Sequence, residues 1–415
     1  MSQSEKMLKP EVLPSMSEAE LVEALAQLTV RFGANLQPGQ ILAIGSEPGK
    51  EVLARAIADV AYREGARYVD LSVFDPYLKR SRALHADPDS LEFVPPWLGA
   101  RALALGEYRC ATVGLTGPVE PEIMDGVDPS LLARDMLPSL PEGVRVVDAR
   151  TTNWTAVPCP TESWARLVYS ELDSEAAFAR LLHDVGHICR LDEPDPIGAW
   201  EQRLAHLDAT ARRLDALALD ALRFNGPGTD LTIGLLASSR WAAARFETVD
   251  GIVHAPNIPT EEVFTTPDPE RVEGFVTATK PLFTSETTIT GLRVRFEGGR
   301  AVEFEADRGS EVLRRLSQRD AGASRLGEVA LVDREGRIGP LETVFFDTLI
   351  DENAASHIAL GQGYEIVVAG ADDRARMNRS AIHVDFMIGG DDVSVTGLRA
   401  DGEQIPLLRD GTWQV

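Results

Sequence analysis

Apolar positions recur first at a helical period and then at a strand period, and the alternation of the two predicts an α/β arrangement for the first half of the chain. Ser17 with Glu20 three residues on has the capping-box form, and Leu21, Leu25, Leu28 and Phe32 follow at helical spacing, with Gly33 placed as the stop. Gln40–Gly45 is a short apolar run of strand type. Glu51–Glu64 then reads as a helix ended by Gly65, and Arg67–Phe74 as a second strand. This βαβ order recurs more weakly through Ala111–Leu115 and Val144–Ala149, which predicts a mostly parallel sheet. A long helix is expected from Gly198 to Leu222, with Trp200, Leu204, Leu207, Ala211 and Leu214 on one face. After Phe224–Gly228 short strand candidates dominate: Asp230–Leu235, Gly291–Glu297, Ala301–Glu305, Glu328–Val332 and Glu365–Val368, with Gly298-Gly299 as a two-residue hairpin turn. The expected architecture is an α/β domain over residues 1–225 followed by a mixed α+β domain over 226–415.

Composition narrows the function classes. The chain has 415 residues, 44% apolar and 26% charged, and a net charge of −24, a field that repels phosphate backbones and argues against a nucleic-acid partner. Cys110, Cys159 and Cys189 cannot all pair, and their spacing fits neither a zinc ribbon nor a disulfide framework. No apolar run reaches the ~18 residues of a spanning helix. The polar opening segment, residues 1–10, lacks the apolar centre of a signal peptide. A soluble, cytoplasmic protein with no membrane partner is expected.

Two motifs invite chemistry that their details do not support. Gly45-Ser-Glu-Pro-Gly49-Lys50-Glu51 sits between a strand and a helix like a phosphate loop, but it has three residues between the glycines where the motif has four. It also carries Glu51 where the motif places a magnesium-binding hydroxyl. His183-Asp-Val-Gly-His187 puts two imidazoles on one helical face, yet Asp184 replaces the glutamate of the zinc motif and nothing fixes His206 or His254 as a third ligand. A helix simply carrying two histidines is the expectation.

The second half carries a better cluster. His383 and Asp385, at i and i+2 of a β-rich run, point to one face. Asp351-Glu352-Asn353-Ala-Ala-Ser-His357 adds a carboxylate and an imidazole too far apart around a helix to share its face, so one of them must lie in a loop or cap. Glu328 opens a very apolar strand. Glu261 and Glu262 face opposite ways if extended, so at most one readily reaches a given site. Together Glu262, Glu328, Glu352, Asp385, His357 and His383 supply four carboxylates and two imidazoles. That is too many oxygen ligands for one tetrahedral zinc, and it suits two divalent ions sharing a bridging carboxylate.

These motifs resemble a known family. Pro256–Pro267, Leu326–Leu331, Phe346–Gly361 and His383–Gly389 stand in the same order in the aminopeptidase T / aminopeptidase S metallopeptidases. Weaker similarity runs upstream through Asn153-Trp154, Pro160-Thr161, Trp164-Ala165 and Gly226–Leu231. The resemblance implies a two-metal site ligated by Glu262, Glu328, Glu352, His357, His383 and Asp385, with Tyr364 matching the family's catalytic tyrosine. It further implies zinc, cobalt or magnesium as cofactor, a homodimer enclosing the active sites, and peptides with a free N-terminus as substrates. The general base stays open between Glu261 and a ligand carboxylate. Two other readings compete. One is a mononuclear iron dioxygenase of the same fold that cleaves hydroxypyridine rings, against which the extra ligands Glu262, Glu328 and Glu352 argue. The other is a metal-stabilised scaffold.

Overall fold

The computed structural model describes residues 16–120, 123–132, 134–138, 140–284 and 287–415, and the polar opening segment lies outside them. Ser17 caps the helix Glu18–Leu28: its hydroxyl accepts from the Glu20 N–H at 3.3 Å, and the Glu20 carboxylate accepts from the Ser17 N–H at 2.9 Å. The helical segment ends at Gly33 as expected, its last stretch a π turn over Thr29–Gly33, but the left-handed C′ residue is Asn35, with φ of 45°. Gly33 answers a packing demand instead, because a Cβ there would lie 2.8 Å from Thr155 Oγ1.

The first half builds a four-stranded parallel sheet in the order Tyr68–Val73, Ile41–Ser46, Ala111–Thr116, Asn153–Pro158. The expected strand over Val144–Ala149 is wrong: Pro141–Asp148 is a helix, and the fourth strand is Asn153–Pro158. Pro141 fits the first helical turn, where its missing N–H costs nothing, and Val146 packs closely against Gly106 of the helix Pro96–Glu107. A short apolar run of this kind carries no periodicity long enough to choose between helix and strand. The long helix runs Pro196–Ala216 with the five expected residues buried. It ends short of Leu222, because Ala218 takes a left-handed φ of 50° and Ala221–Gly226 is already a strand.

The second half is antiparallel. An eight-stranded sheet has the order Arg300–Glu305, Arg293–Glu297, Pro267–Thr277, Thr229–Leu235, Ala221–Gly226, Ser394–Leu398, Gln404–Arg409, Thr412–Trp413. Gly298 and Gly299 make the expected hairpin turn, both at positive φ as its mirror-image backbone requires. A five-stranded sheet runs His383–Met387, His357–Gly361, Leu326–Val332, Glu262–Thr265, Ala242–Ala243. Glu365–Val368 is not a strand as expected but a 3₁₀ turn over Glu365–Val367. Val368 makes only an isolated bridge to Ser239, so the segment has no ladder to extend along. No helix among the described residues is long and apolar enough to cross a membrane.

The phosphate-loop lookalike has a structural job. Lys50 is 1% exposed, and its ammonium pairs with Glu47 at 2.7 Å and donates to the Leu115 carbonyl at 3.0 Å. Lys50→Ala leaves a buried carbonyl without a donor and should cost about 1–3 kcal/mol in urea unfolding. The wild-type chain should show no Tm shift with Mg–ATP, since a ligand that binds the folded state would raise it.

Candidate metal centre

The five-stranded sheet gathers most of the acidic and imidazole residues by register. Glu328 lies opposite Ala359, and Ala359 opposite Asp385 on the next strand. His357 lies opposite Ala330 and Met387, His383 opposite Gly361, and Glu262 opposite Val332. Partners across a ladder, and residues two apart along a strand, share a face. Glu262, Glu328, His357, His383 and Asp385 therefore project from one side of the sheet. Between them stand Ala330, Ala359 and Gly361, whose small size leaves space above the sheet for the longer side chains to converge. Glu352 arrives separately, from the 3₁₀ turn Glu352–Ala354 that follows the short helix Thr348–Asp351. This resolves the spacing of Glu352 and His357: the first is on a turn and the second on a strand.

Three overlapping triads result. Glu262, Glu328 and His357 form one, Glu328, His383 and Asp385 a second, and Glu352, His357 and Asp385 a third, with ligand atoms within 4.8 Å of one another in each. His383 Nε2 lies 3.0 Å from Glu328 Oε2 and 3.3 Å from Asp385 Oδ1, and His357 Nε2 lies 3.0 Å from Glu262 Oε2. The contacts of Glu262 Oε2 and Asp385 Oδ1 are close without hydrogen-bond alignment, so both buried oxygens are left without a hydrogen-bond partner. Each histidine turns its other nitrogen to a carbonyl: Nδ1 of His383 donates to Gln362 at 2.7 Å, and Nδ1 of His357 faces Ala355 at 3.2 Å. A carbonyl only accepts, so Nδ1 carries the proton and Nε2 is left facing the cluster. The Tyr364 hydroxyl sits 3.3 Å from His383 Nε2.

The electrostatics show how strained this arrangement is without a cation. Burial raises Glu328 to about 7 despite His383, and burial with the charges of Asp385 and Glu262 raises Glu352 well above the carboxylate range. Burial works against the His357 imidazolium, yet the close Glu262 carboxylate, with the charges of Glu328 and Glu352, pushes it up to about 10. His383 is likewise raised well above its ordinary value, the carboxylates of Asp385 and Glu328 overcoming burial. Burial works to raise Asp385, but the adjacent His383 charge outweighs it and lowers the carboxyl. Protons are thus drawn to the imidazoles and to two of the carboxylates to offset the excess negative charge. Orphaned oxygens and an oxygen-rich donor set fit a hard or borderline divalent ion.

Other sequence candidates fall elsewhere. Glu261 turns away from the cluster, as strand alternation predicts, and its fully buried carboxylate is held by Arg190 at 2.8 Å and by Arg203. That removes Glu261 as the general base: its carboxylate is occupied by two guanidinium groups behind the sheet. His183 pairs with Asp184 and His187 with Asp192, both on or just past the helix Ser174–Ile188 and apart from the triads. His254 packs between Trp154 and Phe246. His206 lies near Asp333 and Glu335, but Asp333 is buried and already engaged by Arg203 and Trp413, while the other two are exposed. Sequence reasoning missed Asn353, which accepts from the Glu261 N–H at 2.7 Å and so ties the turn bearing Glu352 to the strand bearing Glu262. Its place beside Glu352 was the available signal. Arg190 and Arg203, distant in sequence, gave none.

A cluster of this composition marks the chemistry as that of a divalent-metal hydrolase, and comparison with known proteins agrees. Residues 18–413 match the thermophilic metalloprotease (M29) family model. The chain is similar to aminopeptidase T of Thermus thermophilus, at 42% identity over 95% of this chain and 98% of that one. It is 35% identical to aminopeptidase PepS of Streptococcus thermophilus over 97% and 100%, and 31% identical to aminopeptidase AmpS of Bacillus subtilis over 96% and 99%. The solved structure of wild-type AmpT from Thermus thermophilus matches with a TM-score of 0.87 at 39% identity, covering 96% of this chain and 100% of that one. The chain belongs to the thermophilic metalloprotease (M29) family, as its four motif blocks implied, and is a hydrolase.

His383→Ala or Asp385→Ala should each lose bound metal by elemental analysis, whereas the paired substitution His183→Ala with His187→Ala should keep it. The reverse pattern would move the metal to the helix.

Proposed function

We propose that the protein is a metal-dependent aminopeptidase that removes N-terminal residues from peptides, with two divalent ions held by Glu262, Glu328, Glu352, His357, His383 and Asp385. The observation that carries this reading is the set of three triads sharing Glu328, His357 and Asp385, in a chain of a metalloprotease family. Shared members suit a pair of ions a few ångströms apart better than one ion with many ligands. Zinc, cobalt and magnesium all accept such donors.

When bound, the ions supply Lewis-acid polarisation of the scissile carbonyl and acidification of a water. The chain's own residues do the rest. His357 and His383 hold Nε2 toward the centre because Nδ1 is committed to a carbonyl. Tyr364 stays protonated, since burial and the surrounding carboxylates raise its pKa well above the ordinary value. Its hydroxyl can therefore donate to the carbonyl oxygen as negative charge develops there. With Glu261 committed to arginines, a carboxylate of the cluster itself moves the proton to the leaving amine. A cavity of about 410 Å³, walled by Trp154, Phe246, His254 and Ile366, opens beside Tyr364 and gives the peptide room. The same reading makes residues 226–415 the catalytic domain beside an α/β domain over 1–225, in a cytoplasmic homodimer. Three buried, unpaired cysteines fit a reducing compartment.

Tyr364→Phe should keep metal and fold but lose about 2–4 kcal/mol of transition-state stabilisation in kcat/KM. Equal turnover at matched metal content would remove Tyr364 from the mechanism.

The central test compares a leucyl peptide with its N-acetylated form, alongside metal analysis. Acetylation delocalises the amine lone pair, so leucine should be released from the free peptide alone. Comparable cleavage of the blocked peptide would mean an endopeptidase or general amidase. Silence on every peptide, with oxygen consumed on a hydroxypyridine, would favour the dioxygenase.

A further inference from the structure

Glu352 reaches the cluster from a turn rather than from the sheet, so something must aim that turn. The segment before it is strained: Phe346 has φ of 57°, a left-handed value that a bulky aromatic residue rarely adopts. On its N-terminal side, the Phe345 carbonyl accepts a 2.6 Å hydrogen bond from the indole N–H of Trp164, both residues being fully buried. On its C-terminal side, the Asp351 carboxylate accepts from the N–H groups of Phe345 at 2.8 Å and Asp347 at 3.2 Å, closing the turn on itself. Asp347 caps the helix Thr348–Asp351 through the Ile350 N–H and lies against Thr116, Gly117 and Lys50. Glu352 follows that helix directly.

Trp164 belongs to the first half of the chain, on the helix Glu162–Val168, and is wedged over Gly117, where a Cβ would lie 2.7 Å from the indole ring. Gly117 itself follows the carboxyl end of the strand Ala111–Thr116 and has φ of 94°. The carboxyl end of a parallel sheet is where α/β folds ordinarily receive a ligand. Here that end receives the chain's own Phe345–Asp347 turn.

We propose that Trp164 is a positioning residue for the metal centre: its indole hydrogen bond to Phe345 holds the strained turn that aims Glu352 at His357 and Asp385. This rests on the reading of Glu352 as a metal ligand. A group bonded directly to a ligand typically accounts for 10–100-fold in metal affinity, and Trp164 acts at one remove, through the turn. Trp164→Phe removes the N–H and keeps an aromatic ring over Gly117.

The test titrates metal-stripped wild type, Trp164→Phe and Ile57→Val with Co²⁺, following the visible absorption that reports coordination. Ile57 is a fully buried core residue of the helix Glu51–Arg63, away from the turn, and controls for lost packing. Trp164→Phe should weaken at least one Co²⁺ site about tenfold or more and alter its spectrum, while Ile57→Val keeps the wild-type titration. In wild type, the indole N–H resonance of Trp164 should shift as Zn²⁺ is added, a readout that needs no variant. An unchanged Co²⁺ titration in Trp164→Phe would overturn the proposal, as would an indole resonance indifferent to Zn²⁺. Failure of wild type to bind either ion would instead sink the metal reading on which the proposal rests.

Discussion

The structure is organised around an excess of buried negative charge. Four carboxylates and two imidazoles converge on one face of a small antiparallel sheet, largely out of water. Bare ionised groups in such a place are costly: burial, with the neighbouring negative charges, drives carboxyls up toward their protonated form, and the carboxylates hold the imidazoles charged far above their normal range. A divalent cation relieves all of these at once. A chain that carried these side chains for packing alone would have no reason to leave buried oxygens of Glu262 and Asp385 without hydrogen bonds.

Much of the surrounding architecture follows from keeping that charge in place and keeping other charges out. Small residues at the intervening register positions, Ala330, Ala359 and Gly361, leave the space into which the long side chains lean. Directly beside Glu262 the backbone places a second glutamate, and the sheet disposes of it by alternation: Glu261 emerges on the opposite face, where Arg190 and Arg203 neutralise it. Removing one partner from a buried pair of this kind is far more damaging than the pair is stabilising. The arginines therefore belong to the strand's integrity and indirectly to the geometry of Glu262. Asn353 makes the complementary link between the Glu262 strand and the Glu352 turn.

How much of this was legible in the chain depends on the range of the information. The i and i+2 relation of His383 and Asp385, the opposed faces of Glu261 and Glu262, the capping box at Ser17 and the Gly298-Gly299 hairpin are local, and they read correctly. Val144–Ala149 and Glu365–Val368 misled because a run of a few apolar residues is compatible with either element, and the choice was made by neighbours: a packed helix in one case, a missing ladder partner in the other. Gly33 does end the helical segment, but the reason for a glycine there is close approach to Thr155, far along the chain. Glu261 was admissible as a base until the arginines that occupy it came into view from residues 190 and 203, and no local pattern could announce them.

The two halves of the chain meet where each supplies what the other lacks. A parallel sheet leaves a crevice at its carboxyl end, lined here by Thr116, Gly117 and the buried Lys50, and an empty crevice of that kind invites a phosphate-bearing ligand. The turn that leads to Glu352 lies outside the antiparallel sheet, and Glu352 still comes within reach of His357 and Asp385. Seating the turn in the crevice fills the one and supports the other. The indole of Trp164 satisfies a carbonyl that the left-handed Phe346 leaves pointing away from any helix or strand, and Asp351 satisfies the N–H groups on either side of it. The lysine that makes the loop resemble a nucleotide site is spent on Glu47 and the Leu115 carbonyl. An α/β half with the outline of a cofactor-binding unit thus serves as the abutment for the turn that carries Glu352.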